Sequence, residues 1–265
     1  MRCPFIALAA LLWLGSATPT RAAVAALPST RPVRVFAASD RIRYDAQCMT
    51  IDGKSMVIFS GAFHYFRCPR ELWTDRFGKI KAAGFNTVES YAAWNWHERE
   101  MPSGPSDFSK VDMTDLHDWL KMATDQFGLY VIIRPGPYIC AEWAGGGYPR
   151  WLLTKRPGGF QGSWLRGNDP AYLTWCKHWY DAVCPVIAPE QLTRRKPGTG
   201  GVILFQIENE YDYDQASWDA KVDQLKALYS DARADGIDVP IFTCWTKQAR
   251  DSNDPLLSQV FDGCN

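Results

Sequence analysis

The residues best suited to chemistry in this chain are Glu208, Asn209 and Glu210, which follow without a break from the apolar run Gly201-Val202-Ile203-Leu204-Phe205-Gln206-Ile207. A run of that kind fits a strand buried on both faces of a parallel sheet. Carboxylates are costly at the edge of such a core unless they have a use there. In an α/β barrel the C-terminal ends of the strands form the rim where chemistry is done, and an Asn-Glu pair placed on that rim is equipped to handle a sugar. Glu210 can protonate a departing glycosidic oxygen, and the amide of Asn209 can bond a neighbouring ring hydroxyl. The plainer alternative is a strand that ends in a charged loop, against which the apolar strand and the following Tyr211 weigh.

The surrounding pattern supplies the elements such a pair needs. Ile42 to Phe59 reads as short strands turning at Asp52-Gly53. A βα alternation then begins, with strands over Val57 to Ser60, Thr87 to Tyr91, Leu129 to Ile133, Val202 to Ile207 and Val239 to Thr243, and a sixth starting at Gln259 to Phe261. Helices are expected over Leu72 to Ala83, Met113 to Phe127, Tyr172 to Val183 and Trp218 to Ala232, the second with Leu116, Trp119, Leu120 and Ala123 on one face. There is no internal sequence repeat. The fold class is therefore α/β, with about six parallel strands alternating with helices.

Composition narrows the partners. The 265 residues carry 29 basic and 29 acidic side chains with no basic block, which argues against a nucleic-acid surface. The 12 Trp, 11 Tyr and 13 Phe provide both core and faces that could stack on sugar rings. Residues 1–25 read as a signal peptide, with Met1-Arg2 positive, Phe5 to Leu14 apolar and Ala23-Val24-Ala25 as a cleavage signal; an exported, secreted or periplasmic protein follows. Residues 26–40 read as a flexible lead-in and 41–265 as the barrel domain. With Cys3 in the leader an odd number of the 8 cysteines remains, so in an oxidising compartment at least one lacks a partner within the chain. Cys176 and Cys184 lie too far apart along one helix to bridge. No cysteine or histidine spacing matches a metal site, and no metal or cofactor is expected.

Four segments then invite comparison: Gly61-Ala62-Phe63-His64-Tyr65-Phe66-Arg67, Trp94-Asn95-Trp96-His97-Glu98, Arg134-Pro135-Gly136-Pro137-Tyr138-Ile139-Cys140-Ala141-Glu142-Trp143 and Gln206-Ile207-Glu208-Asn209-Glu210-Tyr211. Together they resemble the β-galactosidases of glycoside hydrolase family 35, over a region from about Met49 onward. The resemblance implies a TIM (β/α)8 barrel, of which this chain reaches about six of the eight strands, and retaining hydrolysis of terminal non-reducing β-galactosides, with Glu210 as acid/base and Tyr91, Cys140, Ala141, Glu142 and Asn209 contacting the sugar. It also implies a nucleophilic Glu near the end of a seventh barrel strand. This chain stops first, so it is expected to be the front part of a larger protein and not to hydrolyse galactosides by itself.

Other readings attach to particular residues. Glu142 could instead pair with Arg134 or Arg150, and Tyr91 could be an ordinary buried tyrosine. Glu208, two residues before Glu210, is expected on the same strand face and so unable to oppose it across a sugar. His64 and His97 read as wall or supporting residues, and Gly145-Gly146-Gly147 as a place where backbone passes close to the sugar. Two positions depart from the family pattern: Arg99 stands where Pro is usual and Asp212 where Gly is usual, which bears on subsite shape more than on reaction class. The competing function is a catalytically silent galactoside-binding module. A purely structural or protein-interaction domain is a third.

Overall fold

The structure is a computed structural model, and it describes residues 41–44, 48–154 and 165–263. The expected signal peptide and lead-in lie outside the described residues. Three short antiparallel strands come first, β1 (Ile42–Tyr44), β2 (Met49–Ile51) and β3 (Lys54–Met56). Their turn falls where the sequence placed it, with Asp52 and Gly53 both at positive φ (49° and 74°), the conformation a tight two-residue hairpin requires.

Six strands then form one parallel sheet in chain order: β4 (Ser60–Ala62), β5 (Thr87–Tyr91), β6 (Tyr130–Gly136), β7 (Gly201–Ile207), β8 (Ile241–Cys244) and β9 (Val260–Gly263). The sequential order and parallel pairing are those of a barrel wall; among the described residues β4 and β9 are its edges. The helices Trp73–Ala82, Thr114–Lys121, Pro170–Ile187 and Trp218–Ala234 fall between the strands. Asp169 opens the third by accepting from the amides of Ala171 (2.9 Å) and Tyr172 (3.2 Å), with Pro170 at the first helical position. All seven residues of β7 are buried, as the apolar run demands.

The first barrel strand differs from expectation. Val57 to Phe59 carries the right side chains, yet Val57 is 82% and Phe59 51% exposed, and pairing starts only at Ser60. Asn86 occupies the backbone there instead: its side chain accepts from the Phe59 amide at 3.0 Å and donates to the Val57 carbonyl at 2.8 Å. The stretch expected as one helix over Met113 to Phe127 is an α-helix to Lys121 followed by a wider π turn over Met122–Gln126; Leu116, Trp119, Leu120 and Ala123 are all buried, as their spacing predicts. Cys176 and Cys184 are buried thiols on one helix.

Candidate active site

The parallel register brings the C-terminal ends of β5, β6, β7 and β8 side by side, and with them Tyr91, the 139–147 loop, Asn209 and Glu210. At the centre is a residue the sequence reading considered only as a partner for Glu142. Arg134, on β6 opposite Tyr91 in register, is buried and donates to Glu89 (2.9 Å), to Asn209 Oδ1 (2.7 Å) and to Gln206 Oε1. Its guanidinium lies over the Tyr91 ring, 4.2 Å from the centroid. One planar cation thereby ties three neighbouring strands together. The ion pair offered to Glu142 goes to Glu89 instead. A cation inside an otherwise apolar strand was the available signal for this hub.

Asn209 is oriented by that hub. Its Oδ1 accepts from Arg134 and from Gln206 Nε2 (3.0 Å), so the amide nitrogen is the end left to donate elsewhere. Tyr91 is half-buried, and burial pushes its hydroxyl up to about 12, so it stays a neutral donor and acceptor across the physiological range.

Glu208 and Glu210 do not share a strand face. The strand ends at Ile207, and both glutamates take left-handed backbone (φ 55° and 50°), so the two-residue alternation expected for them does not apply. Glu208 turns fully into the core, where Arg166 reaches its Oε2 at 3.0 and 3.2 Å and Gln224 donates to its Oε1 at 2.6 Å. Burial raises the Glu208 carboxyl above the ordinary range while Arg166 opposes that shift. Arg166 also donates to the Asn209 carbonyl (2.6 Å) and lies over the Tyr138 ring at 3.8 Å. Glu210 remains partly exposed, its amide donating to the Cys244 carbonyl of β8 at 2.8 Å. Nothing local in the sequence marked Arg166, which comes from a distant loop.

The third part of the site is the loop after β6. Cys140, Ala141 and Glu142 have φ of 53°, 54° and 45°, three consecutive non-glycine residues in the left-handed region. Each such residue costs on the order of 1–3 kcal/mol, and such conformations concentrate at functional sites. Surrounding groups hold the turn: Arg67 donates to the Ala141 carbonyl, and Asn95 accepts from Trp143 Nε1 (2.7 Å) while donating to the Ala144 carbonyl (2.8 Å). Ala141 is buried and Glu142 exposed. The Gly run serves packing. A Cβ on Gly146 would collide with the Tyr138 ring, and one on Gly147 would meet Ile139 at 2.7 Å.

His64 and His97 are held by their surroundings. His97 is buried, with Nδ1 donating to the Asp112 carbonyl (2.6 Å), which leaves Nε2 to accept from the Tyr65 hydroxyl (2.6 Å). His64 lies 5.3 Å from the Tyr91 ring, and burial, then the charges of Arg67 and Arg134, lower it to about 4, so it is neutral at physiological pH. Among the described residues no group of three or more His, Cys, Asp or Glu is placed to hold a metal ion.

Comparison with known proteins extends this picture. Residues 48–259 match the family described as Glycosyl hydrolases family 35. Beta-galactosidase-1-like protein 3 of Rattus norvegicus is 44% identical over 162 residues, 61% of this chain and 24% of that protein. Beta-galactosidase of Felis catus is 39% identical over 180 residues (66% and 25%), and Exo-beta-D-glucosaminidase of Pyrococcus horikoshii 37% identical over 187 (65% and 23%). The chain thus spans about a quarter of the length of these relatives. Among solved structures, the exo-beta-1,4-mannosidase Op5Man5 from an Opitutaceae bacterium superposes with a TM-score of 0.53 at 14% identity, covering 72% of this chain and 32% of that one. The beta-mannanase of Thermomonospora fusca gives 0.50 at 16% identity, covering 87% and 65%. At such identities these likenesses speak to the fold alone, which is that of the TIM-barrel glycoside hydrolases.

Proposed function

This chain belongs to glycosyl hydrolases family 35, and from that premise we propose that it forms the front of a catalytic barrel hydrolysing terminal non-reducing β-galactosides with retention. The observation that carries the proposal is the Arg134 hub. It fixes the amide of Asn209 beside Tyr91, one residue before a partly exposed glutamate at the C-terminal rim of the sheet. In the proposed division of work, Glu210 protonates the leaving oxygen and later deprotonates water. Asn209, Tyr91 and Glu142 bond the sugar hydroxyls, with the backbone of Cys140 and Ala141 alongside. A retaining reaction needs a second carboxylate about 5–5.5 Å from the first across the anomeric carbon. By the family resemblance that group belongs to a further strand. The choice of galactose over glucosamine rests on the names of the relatives, several of which are β-galactosidases. The signal-peptide pattern of residues 1–25 supports a reaction outside the cytoplasm; among the described residues no helix is long and apolar enough to cross a membrane.

The reading is tested by assaying nitrophenyl β-galactoside and nitrophenyl β-glucosaminide, with this chain alone and with a polypeptide that continues through the remaining barrel strands. Turnover is expected for the galactoside with the longer polypeptide and not with the chain alone. A preference for the glucosaminide would overturn the substrate. Robust, Glu210-dependent turnover by the chain alone would show that a carboxylate already present, such as Glu142, acts as nucleophile.

A further inference from the structure

Beside Glu210 the rim carries two large aromatic side chains that the core does not use. Tyr213 is 65% exposed and Trp245 37% exposed, and their rings stand 5.9 Å apart at an interplanar angle of 38°. Their position is built by the backbone. Glu210 donates from its amide to the carbonyl of Cys244, the residue before Trp245, and accepts at its own carbonyl from the Tyr213 amide (3.3 Å). The Trp245 carbonyl accepts from the Asp212 amide (2.8 Å), and the Trp245 amide donates to Gly263 (3.1 Å) at the end of β9. Asp212 locks the two loops together through its carboxylate, which accepts from the Lys247 amide at 2.9 Å. Trp245 is held at φ 50°, a conformation uncommon for a bulky side chain and sustained here by bonds to the ends of two neighbouring segments.

We propose that Tyr213 and Trp245 form the face on which the sugar of the leaving group stacks. The proposal rests on the assignment of Glu210 as the acid. Its carboxyl must reach the glycosidic oxygen, so the part of the substrate beyond that oxygen lies against whatever flanks Glu210, and what flanks it is this ring pair, Tyr213 through a direct backbone bond and Trp245 through its neighbour Cys244. An indole or phenol face suits the C–H side of a pyranose, which is apolar and flat. Asp212, which replaces the Gly usual in the family, contributes the side-chain bond that a glycine could not make. The preferred substrate is therefore a galactosyl disaccharide or a longer glycan, with a pyranose as leaving group.

Binding separates this inference from the catalytic one. The chain would be titrated with galactose and with a galactosyl disaccharide, followed by tryptophan fluorescence and calorimetry. The disaccharide should bind roughly five- to tenfold more tightly, the scale of one favourable aromatic contact. Trp245→Ala and Tyr213→Ala should each move the affinity ratio towards one, and Trp245→Phe should keep part of it. Loss of disaccharide preference in both alanine variants, with thermal unfolding still cooperative, supports the platform whether or not the chain hydrolyses anything. A ratio of one in the unmodified chain, a ratio unchanged in both variants, or no binding of either sugar would overturn it and assign the rings to contact with protein. Disaccharide binding through Trp245 without any affinity for galactose would support the platform and count against the galactoside site.

Discussion

Glu210→Gln, in a polypeptide that also carries the opposing carboxylate, should lower kcat/KM for a galactosyl disaccharide by on the order of 10³–10⁴, the upper part of the range for a positioned general acid. The same parameter for nitrophenyl β-galactoside should fall far less, because nitrophenolate leaves without a proton. The replacement is nearly isosteric, and the left-handed backbone at 210 and the amide bond to Cys244 do not depend on the carboxyl, so the rim should keep its shape. Breakdown of the galactosyl-enzyme would then be slow for every substrate, since the base that activates water is gone. Azide needs no base, so it should restore turnover of the nitrophenyl substrate and yield galactosyl azide, with no comparable effect on the disaccharide. Steady-state kinetics across leaving groups of graded acidity make the measurement. An equal loss for all of them, without azide response, would mean that Glu210 is not the acid.

Arg166→Met should be the most destabilising single substitution near the site, by about 3–5 kcal/mol, because it strands Glu208 in the core. Glu208 has no exposure to solvent, and without Arg166 its carboxylate would keep only Gln224 and the Asn209 amide as bonds. For a domain of this size the loss corresponds to a fall in Tm on the order of 10 °C. Its pH dependence has a definite sign. Burial already raises the folded-state pKa of Glu208, with Arg166 opposing, so removing Arg166 raises it further. A group raised in the folded state binds its proton more tightly there, and stability is lost as pH climbs from the unfolded carboxyl value through the folded one. The deficit of the variant should therefore be smaller at pH 5 than at pH 7.5, and Arg166→Met combined with Glu208→Gln should recover much of it. A Tm within about 2 °C of the unmodified chain, at both pH values, would show that the pair carries little of the stability of this corner.

What the sequence revealed and what it hid have separate physical causes. Thr87–Tyr91 and the buried run of β7 were legible because a parallel strand leaves a continuous apolar signature and ends where polar residues begin. Val57 to Phe59 has the same signature, but Asn86 binds the backbone through its side chain, a long-range contact that composition does not encode. The placement of Glu208 beside Glu210 failed because strand periodicity was carried past the last strand residue into two left-handed positions. The proposed site residues Tyr91, Cys140 to Glu142, Asn209 and Glu210 come from local motifs, and they lie at or after the C-terminal ends of neighbouring strands. The groups that orient them do not. Arg134 and Glu89 meet across two strands, Arg166 reaches Glu208 from a separate loop, and Gln224 reaches it from a helix.

That these residues form one sugar site is the central claim, and the structure of this chain with galactose bound tests it most directly. The account predicts the ring between Tyr91, Glu142 and Asn209, with the Asn209 amide nitrogen donating to a ring hydroxyl and the Glu210 carboxyl within hydrogen-bond reach of the anomeric oxygen. Galactose bound away from the C-terminal ends of β5, β6 and β7, or seated there with Glu210 turned from its anomeric oxygen, would contradict it.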